Sequence, residues 1–592
     1  MPTARSPRWL RPAAMIATAH ARSQLKRFMR QLDDAPAVQE QLLLRLLRRR
    51  RDTAFGRDHR FASISTLDEY RRTVPIRTYE DLRPYIDRVL AGDVTALFPS
   101  CEAIRMFAVS SGTTDKPKHV PVTDAFVRNY RRGWNIFGVK ALMDHPGGWM
   151  RPILQVSSRM DESRTASGVP CGAISGLLAQ TQKRLVRRFY AVSPLTAYID
   201  DAESRYYTIV RLAVPRDIAF SVTASPATQL RLARTAESHA ERLVRDIRDG
   251  TLNPPAGEAR ATGAAEGMTV SPDDRIREVS TGRRAGGPEA VLARLRAALR
   301  PDPSTARRLE DILTRRGSLL PRDFWNLSFL ANWTGGTLGL HLRDFPRYFG
   351  DAPVRDIGLL ATEGRVSIGL SDGTPAGVLD VESAFFEFVE ADSPEGAPAV
   401  RLCHELDVGE TYRVVMTNEA GLYRYDLGDY IRVVGFEGRA PVIEFLNRGA
   451  HAASMTGEKL TEWQVVKAYE TAAAALAVAP DAFVLAPRWD DPPFYVLYVE
   501  GGATDAERLA ERVDGALREI NVEYRAKRSS ARLGPIAVHP LPPGLLARLD
   551  REKAARRGGA NEQFKHQYLL AQPGDDDALT TKGTTGVSVG KS

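Results

Sequence analysis

The spacing of apolar residues in the first half of the chain predicts helices that alternate with strands. Within residues 20–100 apolar side chains recur at helical spacing; one helix face is marked by Leu42, Leu43, Leu46 and Leu47 and the opposite face by arginines. From about residue 100 to 230, apolar runs at 103–109, 149–156 and 217–222 alternate with helical patterns. Strands separated by helices are typical of a core sheet covered by helices, so we predict an α/β fold.

The second half of the chain carries two further patterns. Between about 375 and 445 polar and apolar residues alternate with a period of two, broken by turn residues at short intervals. This alternation predicts an antiparallel, barrel-like β region. Strands are then predicted at 484–486 and 494–499 and a helix at 506–520, in which Leu509, Val513 and Leu517 are four apart.

These patterns divide the chain into two domains. We predict a large N-terminal domain over residues 1–447, with mixed sheets and the barrel-like region, and a small, mobile α/β domain over residues 448–573. Residues from about 250 to 290 are rich in Gly, Ala, Pro and Arg without periodicity, which favours an exposed, mobile insertion. Residues 574–592 are acidic and then rich in Gly, Thr and Ser, so we expect a disordered tail.

Composition and charge argue against several classes of protein. The 592 residues are 43% hydrophobic and 26% charged, as in soluble globular proteins. No stretch of about 18 apolar residues is free of charges, so we expect no membrane partner. The net charge of +9 would suit nucleic acid, but the basic residues are spread out and mixed with acidic ones, which favours a solvated surface and no nucleic-acid partner. Cys101, Cys171 and Cys403 are odd in number and far apart, which points to a reducing, cytoplasmic location.

A hydroxyl-rich segment follows the apolar run at 103–109. It consists of Ser110, Ser111, Gly112, Thr113 and Thr114, and it leads to Lys118 and then to a helical pattern. Glycine lets the backbone come close to a ligand, amides and hydroxyls donate to anionic oxygens, and lysine adds charge. The spacing of a Walker loop is absent. The segment is therefore a candidate phosphate loop, with an ordinary turn as the alternative.

Three further short segments carry candidate chemistry. Thr362 and Glu363 follow an apolar strand pattern, where a carboxylate can hold a magnesium ion that bridges phosphates. Gly428 permits a tight turn that presents Asp429, and an aspartate there can accept both hydroxyls of a ribose. Lys565 stands in a glycine-rich segment suited to delivering a lysine to a site elsewhere. Each segment alone has an ordinary alternative: a surface carboxylate, a β-turn and a solvated lysine.

In their order and separations, the four segments resemble the adenylate-forming superfamily. They resemble more closely the GH3 family of acyl acid amido synthetases, known from plants as auxin- and jasmonate-conjugating enzymes and present in bacteria. The likeness spans about residues 53–573 and includes several other short pieces. These are Phe55-Gly56-Arg57-Asp58-His59, Val74-Pro75-Ile76, Tyr79-Glu80, Phe386-Glu387-Phe388, Tyr423-Arg424-Tyr425-Asp426-Leu427-Gly428-Asp429 and Gln563-Phe564-Lys565.

The resemblance implies roles for the residues near the phosphates. Residues 110–114 would form the phosphate-binding loop, with Lys118 as its positive end. Thr362 and Glu363 would face the α-phosphate and a magnesium ion, with Glu363 as the metal ligand. Asp115 departs from the family pattern, because it stands where the loop usually has another glycine and places a negative charge near phosphates.

The resemblance also implies roles for residues of the second half. Asp429 matches the ribose-binding aspartate, and Arg448 falls where the superfamily has a ribose-contacting arginine beside the domain hinge. Lys565 matches the lysine that the small domain brings in for adenylation. His566 and Gln567 stand where a proline often follows this lysine, which is a second departure from the family pattern.

The reaction implied by the resemblance uses ATP and Mg²⁺ and has two steps. A substrate carboxylate attacks the α-phosphorus and expels pyrophosphate, and the acyl-adenylate then passes its acyl group to an amine, that of an amino acid. Resemblance alone separates an amine from a thiol acceptor such as coenzyme A, so a thiol-dependent ligase is the alternative. A non-catalytic basic nucleotide- or nucleic-acid-binding protein is a further alternative. The expected partners are a small carboxylic acid and an amine, and a monomer is favoured.

Overall fold

The chain is described here from a computed structural model, which divides it into two compact units. The large unit comprises Met1–Leu427 and Arg432–Glu444, and the small unit comprises Gly428–Ile431 and Phe445–Ser592. The structure describes residues 10–110, 118–182, 184–255, 288–391, 393, 398–449, 452–453, 455–456, 458, 460–477, 482–490, 492–500, 506–529, 533–556 and 566–579.

Helices account for much of the large unit. Its α-helices are α1 (Leu10–Leu32), α2 (Ala35–Arg50), α3 (Ala54–Asp58), α4 (Leu67–Thr73), α5 (Tyr79–Leu90), α6 (Asp124–Asp144), α7 (Ile174–Gln180), α8 (Arg184–Arg187), α9 (Ala202–Ala213), α10 (Pro226–Ser238), α11 (Ala240–Asp249), α12 (Pro288–Ala297), α13 (Pro303–Arg316), α14 (Pro321–Phe324) and α15 (Phe345–Phe349). Short 3₁₀ helices lie at Phe61–Ser63, Val94–Ala96, Pro146–Gly148, Pro194–Tyr198 and Gly336–Asp344.

The strands up to Arg448 form four sheets. They are β1 (Ile104–Ser110), β2 (Lys118–Thr123), β3 (Ile153–Gln155), β4 (Ser163–Arg164), β5 (Pro170–Gly172), β6 (Phe220–Val222), β7 (Phe329–Asn332), β8 (Val354–Asp356), β9 (Leu360–Ala361), β10 (Gly364–Arg365), β11 (Ser367–Ile368), β12 (Ala376–Leu379), β13 (Ala384–Glu390), β14 (Val400–Arg401), β15 (Thr411–Asn418), β16 (Tyr425–Glu437) and β17 (Ala440–Arg448).

A parallel sheet lies at the centre of the α/β region. Its order is β3-β6-β7-β8, and every neighbouring pair is parallel. Helices cover it through a buried cluster that includes Leu154 of β3, Tyr207 of α9, Leu243 of α11 and Leu309 of α13. This is the strand-and-helix rhythm that the apolar runs predicted, and parallel strands covered in this way bury both faces of a sheet.

Two further sheets and a hairpin complete this part of the fold. The first sheet has the order β2-β1-β5-β4, in which β1 is antiparallel to β2 and parallel to β5. The period-two region forms a seven-stranded sheet of order β11-β12-β17-β16-β15-β13-β14, and β9 and β10 form a separate hairpin.

The predicted leucine face of α2 is also confirmed, since Leu42, Leu43, Leu46 and Leu47 are all buried.

The small unit has its own sheet and core. Its remaining elements are β18 (Ala452–Ala453), β19 (Leu460–Thr461), α16 (Glu462–Ala475), β20 (Phe483–Arg488), β21 (Phe494–Glu500), α17 (Ala506–Ile520), α18 (Val522–Ser529), β22 (Ala537–Leu541) and α19 (Leu545–Arg556). The sheet has the order β20-β21-β22, with β20 antiparallel and β22 parallel to β21. Tyr469 of α16 stacks on Phe483 of β20 with ring centroids 3.7 Å apart.

One predicted segment differs from the structure, and another lies mostly outside the described residues. Asp576 is fully buried and accepts hydrogen bonds from Arg488 Nε at 2.9 Å and from the Tyr498 hydroxyl at 2.5 Å. Ordered structure therefore extends beyond residue 574, where the disordered tail was predicted to begin. Most of the predicted 250–290 insertion lies outside the described residues. Among the helices that are described, none is long and apolar enough to cross a membrane.

Candidate active site

The candidate phosphate loop joins two paired strands. β1 ends at Ser110 and β2 begins at Lys118, and these two residues are register partners in an antiparallel pair. The two ends of the loop are therefore held side by side. Ser111, Gly112, Thr113 and Thr114 lie outside the described residues, and Ser110 is described by its backbone alone.

Lys118 is held between two tyrosines at the start of β2. Its Nζ donates to the hydroxyl of Tyr425 at 3.3 Å and lies 5.6 Å and 5.9 Å from the ring centroids of Tyr79 and Tyr425. The Tyr79 hydroxyl donates to the backbone oxygen of His119 at 3.1 Å and accepts from the backbone nitrogen of His119 at 2.7 Å. Burial raises the pKa of Tyr79 to about 12, so its hydroxyl stays neutral and available for both bonds.

Glu363 lies at the tip of a tight hairpin. Ala361 of β9 pairs with Gly364 of β10, so Thr362 and Glu363 are the two turn residues. Glu363 is 3% exposed, and the Tyr425 hydroxyl donates to its Oε1 at 3.1 Å. Asn418 Nδ2 donates to the backbone oxygen of Glu363 at 2.7 Å and thereby supports the turn.

Tyr425 therefore joins a cation to a carboxylate. Its neutral phenol accepts from the Lys118 ammonium and donates to Glu363, and this use of both hydrogen-bonding functions fixes the two charged side chains relative to each other. Both bonds involve charged side chains, and at 3.3 and 3.1 Å they lie at the long end of hydrogen-bonding distance. Sequence reasoning missed Tyr425, although it stands within the Tyr-Arg-Tyr-Asp segment that had been singled out.

Arg424 sets the backbone that presents Tyr425. It has a left-handed conformation with φ 45°, which is strained for a residue other than glycine. Its Nε and Nη2 donate to the two carboxylate oxygens of Glu387 at 2.8 and 3.0 Å. Its Nη1 donates to the backbone oxygens of Val74 at 2.8 Å and Arg71 at 3.1 Å. These buried bonds hold the strained residue in place.

A second contact fixes the backbone on both sides of Tyr425. Arg77 N donates to the oxygen of Arg424 at 2.9 Å, and Asp426 N donates to the oxygen of Arg77 at 2.8 Å. Nearby, Phe55 stacks on Tyr423 with ring centroids 4.5 Å apart. The short pieces at 55–59, 74–76 and 386–388 that carried part of the resemblance therefore meet around the segment that presents Tyr425.

The remaining candidate residues are placed only in part. Asp429 lies on β16, four residues after Tyr425, and is 2% exposed. Arg448 is the last residue of β17, and its side chain is not among those described. Lys565 lies outside the described residues. The structure thus brings Lys118 and Glu363 together through Tyr425, while the roles of Asp429, Arg448 and Lys565 stay predictions.

The residues present fit a magnesium ion that is shared with phosphates. Among the described residues, no group of three or more His, Cys, Asp and Glu side chains could form a metal cage. Mg²⁺ is commonly bound through one or two carboxylates, with phosphate oxygens and waters as its other ligands. Glu363 suits that arrangement because its carboxylate supplies a hard oxygen ligand. The Tyr425 hydroxyl donates to its Oε1 and so orients the carboxylate.

Three family models match the chain along most of its length. The GH3 family N-terminal domain matches residues 24–282 and 273–354, the central domain matches residues 377–448, and the C-terminal domain matches residues 464–574. The chain belongs to the GH3 family. This GH3 protein therefore contains all three parts of the family's domain organisation.

Relatives agree with this membership, and a solved structure shares the fold. The GH3 chain is 26% identical over 564 residues to a jasmonoyl–L-amino acid synthetase, JAR6, of Nicotiana attenuata, with 90% of both chains covered. It is 26% identical over 603 residues to a probable indole-3-acetic acid-amido synthetase, GH3.12, of Oryza sativa subsp. japonica, with 92% of both covered. The solved structure of GH3.15 acyl acid amido synthetase shares its fold, with a TM-score of 0.76 at 20% identity over 94% of this chain and 95% of that one.

Proposed function

We propose that this GH3 protein is an ATP-dependent acyl acid amido synthetase. It adenylates a carboxylic acid and transfers the acyl group to an amine, that of an amino acid. The observation that carries the proposal is the chain of contacts from Lys118 through Tyr425 to Glu363, beside the two ends of the hydroxyl-rich loop. Relatives of matching length are named as a jasmonoyl–L-amino acid synthetase and a probable indole-3-acetic acid-amido synthetase.

In the first step an oxygen of the substrate carboxylate attacks the α-phosphorus of ATP. The bond from that phosphorus to the pyrophosphate oxygen breaks, and an acyl-adenylate forms. Lys118 neutralises phosphate charge, and residues 110–114 donate backbone and hydroxyl hydrogens to phosphate oxygens. Glu363 would hold Mg²⁺, which would supply positive charge next to the phosphates and so lower the negative charge that the attacking carboxylate meets. Thr362 faces the α-phosphate from the same turn.

Residues of the second half complete this step. Asp429 accepts the hydroxyls of the ribose and Arg448 contacts the same sugar, so the nucleotide is fixed in one orientation. Lys565 supplies positive charge during adenylation. Since no side chain needs to form a covalent bond, positioning and charge neutralisation account for the rate.

In the second step the amine attacks the acyl carbonyl carbon. A carbon–nitrogen bond forms, the bond to the adenylate oxygen breaks, AMP leaves, and the amine gives up a proton. Movement of the small domain withdraws Lys565 and opens the acceptor site, a step of the lid type. The same proposal places the protein in the cytoplasm as a monomer, and light scattering in solution tests the oligomeric state.

The test identifies the product by mass. The enzyme is incubated with ATP, Mg²⁺ and a panel of aryl, indole and fatty acids, together with either mixed amino acids or coenzyme A. The proposal predicts an acyl-amino acid and AMP for at least one acid. A thioester formed with coenzyme A and no amide would identify the thiol-dependent ligase instead, and AMP formation with neither acceptor product would contradict transfer altogether.

A further inference from the structure

The hairpin that carries Glu363 is too short to hold its own turn. Its strands β9 and β10 share two register pairs, and a two-stranded hairpin of that kind is marginally stable in isolation. The orientation of Glu363 therefore depends on contacts from outside the ladder. Asn418 supplies one of them at the turn itself, through its bond to the backbone oxygen of Glu363.

Arg365 supplies a second contact, at the base of the same hairpin. It is the last residue of β10, two residues after Glu363. Its Nη1 donates to the backbone oxygen of Ile357 at 2.8 Å, before β9, and to that of Ser367 at 3.2 Å, after β10. One guanidinium therefore ties together the two ends of the hairpin and restricts the turn between them.

The Arg365 side chain lies against helix α6 at a glycine. A Cβ atom on Gly133 would lie 2.5 Å from both Cδ and Nε of Arg365, which is closer than a Cβ comes to any nonbonded atom. The guanidinium carbon lies 4.8 Å from the ring centroid of Trp134, the next residue of the helix, within the range of a cation–π contact. Gly133 thus leaves the room that Arg365 occupies, and Trp134 holds the guanidinium there.

The guanidinium is almost entirely removed from solvent. Arg365 is 1% exposed, and its Nε and Nη2 have no hydrogen-bond partner among the described residues. Asp380 is fully buried too, and its Oδ2 would lie 3.2 Å from the same Cβ on Gly133. Because burying a cation costs free energy, the bonds of Nη1, the ring of Trp134 and the charge of Asp380 are what offset that cost.

We propose that Arg365 is a positioning residue for Glu363: it fixes the base of the hairpin against α6 and thereby sets where the Glu363 carboxylate meets the metal–nucleotide complex. The inference rests on the proposed function, since it takes Glu363 as the carboxylate that would hold Mg²⁺. Arg365 touches no reacting atom in this account. A displaced guanidinium releases Ile357 and Ser367, so the turn between them gains freedom and Glu363 loses its fixed orientation.

Two glycine variants of α6 form a matched pair for the test. Gly133→Ala would push its Cβ onto Arg365 and displace the guanidinium. Gly138→Ala is the control, because no described atom outside the helix backbone lies within 4 Å of a Cβ at that position. Neither glycine belongs to the proposed contacts with substrate, nucleotide or metal.

The measurement is equilibrium binding of α,β-methylene ATP, which cannot release pyrophosphate. Calorimetry gives its Kd as the Mg²⁺ complex and, in EDTA, as the metal-free nucleotide. Gly133→Ala should raise the Kd of the metal complex about tenfold, as for the loss of a residue that orients a metal ligand, and leave that of the metal-free nucleotide unchanged. Gly138→Ala should match the wild type in both.

Arg365→Ala tests the same contact from the other side. It should weaken binding of the metal complex about tenfold or more, since both ends of the hairpin are released. Adding Gly133→Ala to this variant should cause no further loss, because the side-chain atoms that the new Cβ would meet are gone. In ATP–pyrophosphate exchange, the Mg²⁺ concentration for half-maximal rate should rise in Gly133→Ala, while the KM for the acid stays unchanged.

Each result bears on a distinct statement. Unchanged binding of the metal complex in Gly133→Ala overturns the inference and leaves the proposed function standing. Equal weakening in Gly138→Ala, or equal weakening for the metal-free nucleotide, would trace the loss to the helix or to the whole fold and would also overturn it. If Arg365→Ala does not fold, the two glycine variants decide alone. Absence of exchange in the wild type with every acid overturns the proposed function, and the inference with it.

Discussion

At the scale of single residues, the site depends on one hydroxyl that the sequence did not point to. Lys118 and Glu363 were predicted because lysines after hydroxyl-rich loops and carboxylates after strands have recognisable chemistry. Tyr425 was not predicted, because its role depends on contacts with Lys118 and Glu363, which precede it in the chain by 307 and 62 positions. The role of its hydroxyl became clear only once the elements that carry the three side chains were in place.

Tyr425→Phe removes that hydroxyl and keeps the ring. Glu363 loses a hydrogen-bond donor and Lys118 an acceptor, so neither charged group is fixed in the orientation that the proposed contacts to phosphates and metal need. We expect ATP–pyrophosphate exchange to fall about tenfold to a hundredfold, as for the loss of hydrogen bonds to charged groups. The Mg²⁺ concentration needed for half-maximal exchange should rise as well.

Tyr423→Phe is the matched control two residues away. The Tyr423 hydroxyl is buried and has no hydrogen-bond partner among the described residues, so its removal deletes no hydrogen bond found there. Exchange should stay at the wild-type rate. If both variants lose activity equally, the effect belongs to local packing, and the bridging role of Tyr425 is wrong.

At the scale of elements, hydrophobic periodicity predicted which segments become strands and helices but not which strands pair. The period-two region became a sheet of order β11-β12-β17-β16-β15-β13-β14, in which most neighbours are consecutive strands but β12 pairs with β17 and β13 pairs with β15. Alternation fixes which side chains share a face, whereas pairing order depends on long-range contacts. One such contact is the buried pair of Arg424 and Glu387, which links β13 to the segment before β16.

Glu387→Gln tests whether this pair supports the sheet. The change leaves the buried Arg424 guanidinium without its balancing charge, and Arg71 loses its partner too, since its Nε donates to Glu387 Oε1 at 2.9 Å. Breaking a buried pair costs about 3 kcal/mol or more in the free energy of unfolding. Urea denaturation of the purified variant and of the wild type measures this loss in the free energy of unfolding.

Glu390→Gln on the same strand β13 is the control. Glu390 pairs with Arg401 at 2.7 Å at the surface, where both side chains are more than a third exposed, so its loss should barely change the free energy of unfolding. Equal losses in the two variants would mean that burial of the Arg424 pair does not matter for stability.

At the scale of the whole molecule, the sequence predicted an α/β fold with a small C-terminal part, and the resemblance predicted the family. The patterns did not show that ordered structure continues to Asp576. Asp576 is the middle one of three consecutive aspartates in a polar segment, and that pattern gives no sign that Arg488 and Tyr498 will bury it. The proposed division of labour between the two half-reactions concerns the small domain as a unit.

Lys565→Ala should separate the two half-reactions. The proposed mechanism assigns the positive charge of Lys565 to adenylation, so exchange should fall at least a hundredfold, whereas amide formation from a supplied acyl-adenylate should stay near the wild-type rate. Both rates are measured on the same preparation, with product detected by mass. Equal loss of the two would refute the separate roles.

The central claim is that the site of Lys118, Tyr425 and Glu363 activates a carboxylic acid with ATP. The most direct measurement is ATP–pyrophosphate exchange across a panel of aryl, indole and fatty acids, in the wild type and in Glu363→Gln, which keeps the size of the side chain and removes its charge. The account predicts exchange with at least one acid in the wild type and a loss of at least about a hundredfold in the variant. No exchange with any acid, or undiminished exchange in Glu363→Gln, would contradict it.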